Sequence, residues 1–223
     1  MIALDIETLD FFSDDRIKRL PRPIQLLAMR FGCAYTLDMD TGAWTGYWPE
    51  DPGLPTEQDV VSGPTALPCL WQHLINQTIV GWNLFEFDIP YLMLHLNRHC
   101  DNDGDPWLDP MRIIDLMAVL KTASKPFGKE RWYKLDVIAA TNLGRGKLGN
   151  GQQAATWLQS GDPALLRQAA AYCREDVQLT ADLFQTAQTT GLLCPARPER
   201  SEVGDLRVWL NTDGDLVDCR REE

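Results

Sequence analysis

The chain has 223 residues, 44% of them hydrophobic and 24% charged, with a formal net charge of -11. That length and balance fit one sizeable domain burying roughly 70% of its unfolded surface, and they argue against long disorder. The acidic balance argues against a protein that coats nucleic acid through a general positive field, so a polyanionic partner would require a local reversal of sign.

No stretch reaches the roughly 18 apolar residues of a membrane span, and acids stand where a signal peptide would carry basic residues. A cytoplasmic protein with no membrane partner is expected. The six cysteines, Cys33, Cys69, Cys100, Cys173, Cys194 and Cys219, form no C-x-x-C pair. This fits reduced thiols better than a zinc knuckle or a disulfide framework.

In chain order, Ile2 to Ile6 reads as a buried strand, and Ile24 to Gly32 ("IQLLAMRFG") as a second. "AYTLDM" and "WTGYW", separated by "DTG", read as a hairpin, so an antiparallel meander opens the sheet. The five prolines from Pro49 to Pro68 mark a surface connection. A helix in "ALPCLWQHLINQ" is followed by the short strand Thr78 to Trp82. Helical patterns then run through "FDIPYLMLHLNRH", "MRIIDLMAVLKT", "KLDVIAATNLG" and the long "PALLRQAAAYCREDVQLTADLFQTAQ". Asp162 is an N-cap for the last, with Pro163 in its first turn and Gly191 past its end. "LRVWLNTDGDLVD" reads as a C-terminal hairpin with Asp-Gly in the turn. Strands followed by helices, with a strand returning after a helix, predict an α/β domain around a mixed sheet. The expected division is residues 1–191 for this domain and 192–223 for the tail.

The chemistry begins in "MIALDIETLD". Residues i and i+2 of a strand share a face, so Asp5 and Glu7 lie side by side. Such a pair either ends the strand in water or is held together by a cation or a proton. A second acidic signal is "WNLFEFDIPYL", where Asn83, Phe87 and Asp88 lead from a short strand into a helix. In "YCRED", Tyr172 and Asp176 stand at i and i+4 on one helix face, with Glu175 rotated about 100° away. Four carboxylates converging from these elements need cations. Hard oxygen donors favour two Mg²⁺ or Mn²⁺ ions, a pair suited to phosphodiester displacement, whose charge also reverses the sign an incoming phosphate meets.

D-I-E-T after an apolar strand, N-x-x-x-F-D and Y-x-x-x-D, in that order, resemble the three motifs of the DEDDy exonucleases. These are ribonuclease H-like proteins that include the proofreading domain of family B DNA polymerases. "GRGKLGNGQQAATWLQSGD" and "YCREDVQLTADLF" are also similar to small bacterial proteins of this class that stand alone or accompany helicases. The resemblance spans roughly Ile2 to Gly191. It implies a ribonuclease H-like α/β fold, with the mixed sheet flanked by helices, and a 3′-5′ exonuclease. Asp5, Glu7, Asp88 and Asp176 match its metal-binding acids, and Tyr172 matches the tyrosine that orients the attacking water. Asn83 and Phe87 match positions near the terminal nucleotide. The implied substrate is nucleic acid with a free 3′ end, single-stranded DNA ahead of RNA. No polymerase palm or fingers follow the first motif strand, so proofreading would need a separate polymerase or helicase partner. A structure-selective endonuclease on the same scaffold, or a noncatalytic module that binds nucleic acid or a helicase, are the rival readings.

Other signals carry less. "GRGKLG" has the glycine spacing of a dinucleotide fingerprint but follows a helix, so Gly144 reads as a helix C-cap. His95 and His99 at i and i+4 read as a solvated helix face. Asp115 and Asp136 either support the metal-binding acids or lie on helix surfaces. The segment "KTASKPFGKERWYK" interleaves Lys125, Lys129 and Arg131 with aromatic residues including Trp132, a composition suited to single-stranded nucleic acid or to an ordinary solvated loop. Arg145 and Lys147 are candidates to extend that basic surface.

Overall fold

A computed structural model describes residues 1–54, 60–99, 111–127, 133–195 and 205–221. Strand β1 (Ile2–Thr8) pairs antiparallel with β2 (Phe31–Asp38), which pairs antiparallel with β3 (Trp44–Trp48), so the predicted meander is present. At the turn between β2 and β3 the Asp38 carboxylate accepts hydrogen bonds from the Asp40 N–H at 2.9 Å and the Thr41 N–H at 3.3 Å. Strand β4 (Val60–Ser62) adds parallel to β3, β5 (Thr78–Gly81) parallel to β1, and β6 (Arg112–Asp115) parallel to β5. The result is a mixed sheet in the order β4-β3-β2-β1-β5-β6.

Two helices depart from the sequence reading and one adds to it. Helix α1 (Arg22–Ala28) overlaps the first part of the segment Ile24 to Gly32 expected to be a strand, of which only Phe31 and Gly32 are strand, at the start of β2. Pro23 suits a first helical turn, and burial there recurs every third residue, at Leu26 and Met29, while Ile24 is exposed. The proline-rich connection contains β4 and the start of α2 (Ala66–Leu74), with Pro68 in the first turn, where a missing N–H costs little. The single helix expected over "MRIIDLMAVLKT" is β6 followed by α4 (Leu116–Ser124), because the Asp115 carboxylate caps α4 by accepting the Ala118 N–H.

Helix α3 (Asp88–His99) and α5 (Leu135–Leu143) lie where the periodicity places them. Helix α6 (Gly151–Ser160) was not anticipated. Its signal was an N-x-x-Q capping box, in which Asn150 and Gln153 each accept the other's backbone N–H. Helix α7 (Pro163–Thr189) is capped by Asp162 as expected.

The alternation along β1 separates two layers. Ile2, Leu4 and Ile6 pack against α2 and α3, whereas Ala3 joins Cys33, Tyr35 and Leu37 under the Ala169, Cys173 and Val177 side of α7. Asp5 and Glu7 continue the α7 side. The tail forms β7 (Leu192–Cys194), β8 (Leu206–Leu210) and β9 (Leu216–Arg221), an antiparallel sheet that includes the predicted hairpin, with Asp213 and Gly214 in its turn. Leu206, Val208 and Leu210 share one buried cluster with Leu179, Leu183 and Phe184 of α7. No described helix is long and apolar enough to cross a membrane.

Candidate active site

Seven candidate positions, Asp5, Glu7, Asn83, Phe87, Asp88, Tyr172 and Asp176, meet at the carboxyl ends of β1 and β5, beside α7. Carboxylate oxygens of Asp5, Glu7 and Asp176 lie within 4.8 Å of one another. They line a cavity of about 260 Å³ together with Asn83, Phe87, Asp88 and Tyr172. Strand alternation brings Asp5 and Glu7 to one face, and one helical turn separates Tyr172 from Asp176.

Burial raises the proton affinity of every one of these acids. For Glu7 the neighbouring charges of Asp5 and Asp176 add to the effect, and for Asp176 that of Asp5 does, leaving Asp176 at about 7. Burial likewise raises Asp5, while Lys147 and the Cys173 thiol favour its ionised form. The Cys173 Sγ donates to Asp5 Oδ2 at 3.3 Å. Tyr172 is also raised, first by burial and then by Asp176, so its phenol stays protonated.

Asp88, at the start of α3, is 3% exposed and lies outside the 4.8 Å grouping. Its Oδ1 accepts the Ile6 N–H of β1 at 3.0 Å, which ties α3 to the strand carrying Asp5 and Glu7. The remaining oxygens fit a hard divalent cation. Asp176 Oδ1 is buried without a hydrogen-bond partner, and three oxygen donors gathered with raised proton affinities are what a bound cation would relieve.

Asn83 adopts φ of +69°, a left-handed conformation that asparagine tolerates better than most residues. The turn is held from β6. Asp115, 2% exposed, accepts N–H bonds from Asn83 at 3.0 Å, Phe85 at 2.9 Å and Ala118 at 3.2 Å. Asp115 therefore supports the site, while Asp136 is an exposed acid on α5. Gly81 permits this turn to fold back, since a Cβ there would stand 2.4 Å from Leu84. Asp115→Ala should destabilise the protein by about 2–4 kcal/mol, because three N–H groups lose one buried acceptor, and Asp115→Asn by less. Urea denaturation of the two variants checks both figures.

Phe87 packs edge-on to Phe12 and stacks on Tyr91. Lys125 lies exposed at the end of α4 and does not line the cavity. Lys129, Arg131 and Trp132 lie outside the described residues, as does Cys100. His95 is buried rather than solvated, with Nε2 3.1 Å from the Leu26 carbonyl, and the His99 side chain is outside the description.

Lys147, a candidate for the basic surface, lies instead in the acidic cavity. Gly144, at φ of +66°, ends α5 as expected and turns the chain across α7. Arg145 then pairs with Glu175 and Asp182, and Lys147 reaches into the cavity to pair with Asp176. Its ammonium also stands 4.8 Å from the centroid of the Tyr172 ring. The available signal was a lysine in a glycine-rich loop, which does not specify where the loop lands.

A family model described as the RNase H superfamily matches residues 49–188, well over half of the chain. The protein belongs to the RNase H superfamily, whose members are generally nucleases that use divalent metals, and its fold is of that kind. The match contains Asn83, Phe87, Asp88, Tyr172 and Asp176 but not Asp5 or Glu7. A search of curated proteins finds no match to the chain.

Proposed function

We propose that this chain is a metal-dependent 3′-5′ exonuclease of the DEDDy type that removes nucleotides from single-stranded DNA. The observation carrying this reading is the convergence of Asp5, Glu7 and Asp176 within 4.8 Å, one helical turn from the buried Tyr172.

Asp5, Glu7 and Asp176 are the residues that would hold two Mg²⁺ or Mn²⁺ ions, with Asp88 completing the set. Bound divalent ions supply a hydroxide nucleophile near neutral pH and stabilise the leaving oxygen. Tyr172, kept protonated by its surroundings, acts as a hydrogen-bonding phenol that orients the attacking water and is not a base. Lys147 keeps its charge, because the surrounding acids raise its proton affinity against the effect of burial. It therefore offers a positive charge where phosphate would otherwise meet only carboxylates. Asn83 and Phe87 flank the terminal nucleotide, with Asp115 holding their turn in place.

The test incubates the protein with 5′-labelled single-stranded DNA and RNA of one sequence in Mg²⁺, Mn²⁺ or EDTA, beside Tyr172→Phe. A metal-dependent ladder shortening from the 3′ end is expected, slowed by about 10–100-fold in Tyr172→Phe. Discrete internal fragments would instead indicate an endonuclease. An uncut label bound by the protein would indicate a noncatalytic module.

A further inference from the structure

Strand β1 is tied to a helix on each side of its acidic pair. From α3, Asp88 accepts the N–H of Ile6, which stands between Asp5 and Glu7. From α7, the Cys173 Sγ lies 3.3 Å from Asp5 Oδ2 and 3.5 Å from the Asp5 carbonyl oxygen. Cys173 directly follows Tyr172 and shares a helix face with Asp176 at i+3. Its bond therefore joins the helix that carries Tyr172 and Asp176 to the strand that carries Asp5 and Glu7.

We propose that Cys173 is a positioning residue whose thiol holds Asp5 in the orientation that binds the divalent cation. The proposal rests on the metal-dependent nuclease reading above and adds a residue that acts on the site through Asp5.

Electrostatics supply the first argument. Asp5 and Glu7 are like charges on one strand face, so their carboxylates repel and turn apart unless a partner fixes them. A donor on Asp5 fixes which of its oxygens is left for a cation, as hydrogen bonds to ligating carboxylates do. Lys147 compensates the acids with a charge that opposes a cation, whereas a thiol is a neutral donor and does not. The S–H reaches two oxygens of the same residue, so either bond holds Asp5 against α7. Burial supplies the second argument. Cys173 is fully buried in one cluster with Ala3, Ala169 and Val177, and such apolar surroundings keep a thiol protonated and able to donate. Sulfur also suits that packing, since a buried cysteine behaves as a small hydrophobe. Cys33 of β2, paired with Glu7 across the strands, is a second neighbour within hydrogen-bonding reach of the Cys173 thiol. Cys173 can accept from Cys33 while donating to Asp5.

Calorimetric titration with Mn²⁺ on wild type, Cys173→Ala, Cys173→Ser and Val177→Ala tests the proposal. Val177 is fully buried in the same cluster, so its variant measures the effect of a cavity with no donor lost. Cys173→Ala should weaken Mn²⁺ binding by about tenfold, as loss of a hydrogen bond to a metal ligand does, and Cys173→Ser should restore it to within about threefold of wild type. Val177→Ala should lower the melting temperature in EDTA but leave Mn²⁺ affinity within about twofold. The Mn²⁺ concentration that half-saturates hydrolysis of 5′-labelled single-stranded DNA should rise in Cys173→Ala by the same factor as the affinity falls. If Cys173→Ala does not fold in EDTA, Cys173→Val, which fills the space without a donor, takes its place. Unchanged Mn²⁺ affinity without the donor, a serine variant as weak as the alanine one, or equal losses in Cys173→Ala and Val177→Ala would overturn the proposal while leaving the nuclease reading intact. A wild type that neither binds Mn²⁺ nor shortens the strand would overturn both.

Discussion

Asp176→Asn is expected to lower metal-dependent hydrolysis by about 10³-fold or more, yet to stabilise the protein in EDTA. The activity loss follows because Asp176 joins the helix that carries Tyr172 to the β1 acids, and its unpartnered Oδ1 is a donor that asparagine replaces without charge. The stability gain follows from the cost of crowding buried carboxylates. Asp176 in the folded protein holds its proton up to about pH 7, against an ordinary value of 3.8. Its raised proton affinity contributes stability that is fully present below about pH 4 and is lost as pH rises through 7. The variant should therefore gain on wild type between those limits and keep a constant advantage above them. Each tenfold change in proton affinity is worth about 1.4 kcal/mol, so the advantage at pH 8 should be a few kcal/mol. Saturating Mn²⁺ should reverse the ranking, because an ion that binds only the folded wild type adds to its stability. Thermal unfolding across pH, in EDTA and in Mn²⁺, measures both signs. A variant less stable than wild type at pH 8 in EDTA would refute the electrostatic account.

Lys147→Met is expected to behave in the opposite way. Methionine retains most of the apolar stem but removes the charge that pairs with Asp176 and interacts with Asp5 and Glu7. In EDTA the variant should lose about 2–3 kcal/mol at pH 8, below the cost of breaking a fully buried ion pair, because the carboxylates then take up protons. Added Mn²⁺ should recover most of that loss. Ion affinity should stay equal or rise, since the ammonium and the ion compete for Asp176. Hydrolysis should still fall by tenfold or more, as the scissile phosphate loses a nearby positive charge. Calorimetric titration with Mn²⁺ and unfolding in parallel separate these effects. Weaker ion binding together with unchanged stability would show that Lys147 does not share Asp176 with the ion.

The outcome at particular residues shows which physical information is local. Asp5 and Glu7 share a face because strand alternation has a period of two, and Tyr172 and Asp176 share one because a helix returns after four residues. The Asp162 cap of α7, the Gly144 end of α5 and the Asp-Gly turn of the tail are likewise interactions within a few residues, so short segments carry them. Reading failed where two local patterns compete. Ile24 to Gly32 is apolar enough for a strand, but only packing decides that Leu26 and Met29 face the core while Ile24 faces water. At "RIIDLM" the change from β6 to α4 depends on Asp115 being buried beside the β5 turn, where it accepts N–H bonds from two elements at once.

The period of β1 and α7, the Asp162 cap, the Gly144 helix end, the paired acids and the tyrosine one turn from Asp176 are legible in the sequence alone, since all of these depend on backbone geometry over four residues or fewer. Tertiary packing alone sets the Asp115 anchor of the Asn83 turn, the meeting of Lys147 with Asp176, and the position of Arg174 over Trp44. Those contacts join strands, loops and helices far apart in the chain. Their geometry is fixed by how the sheet and α7 pack, which no local pattern specifies.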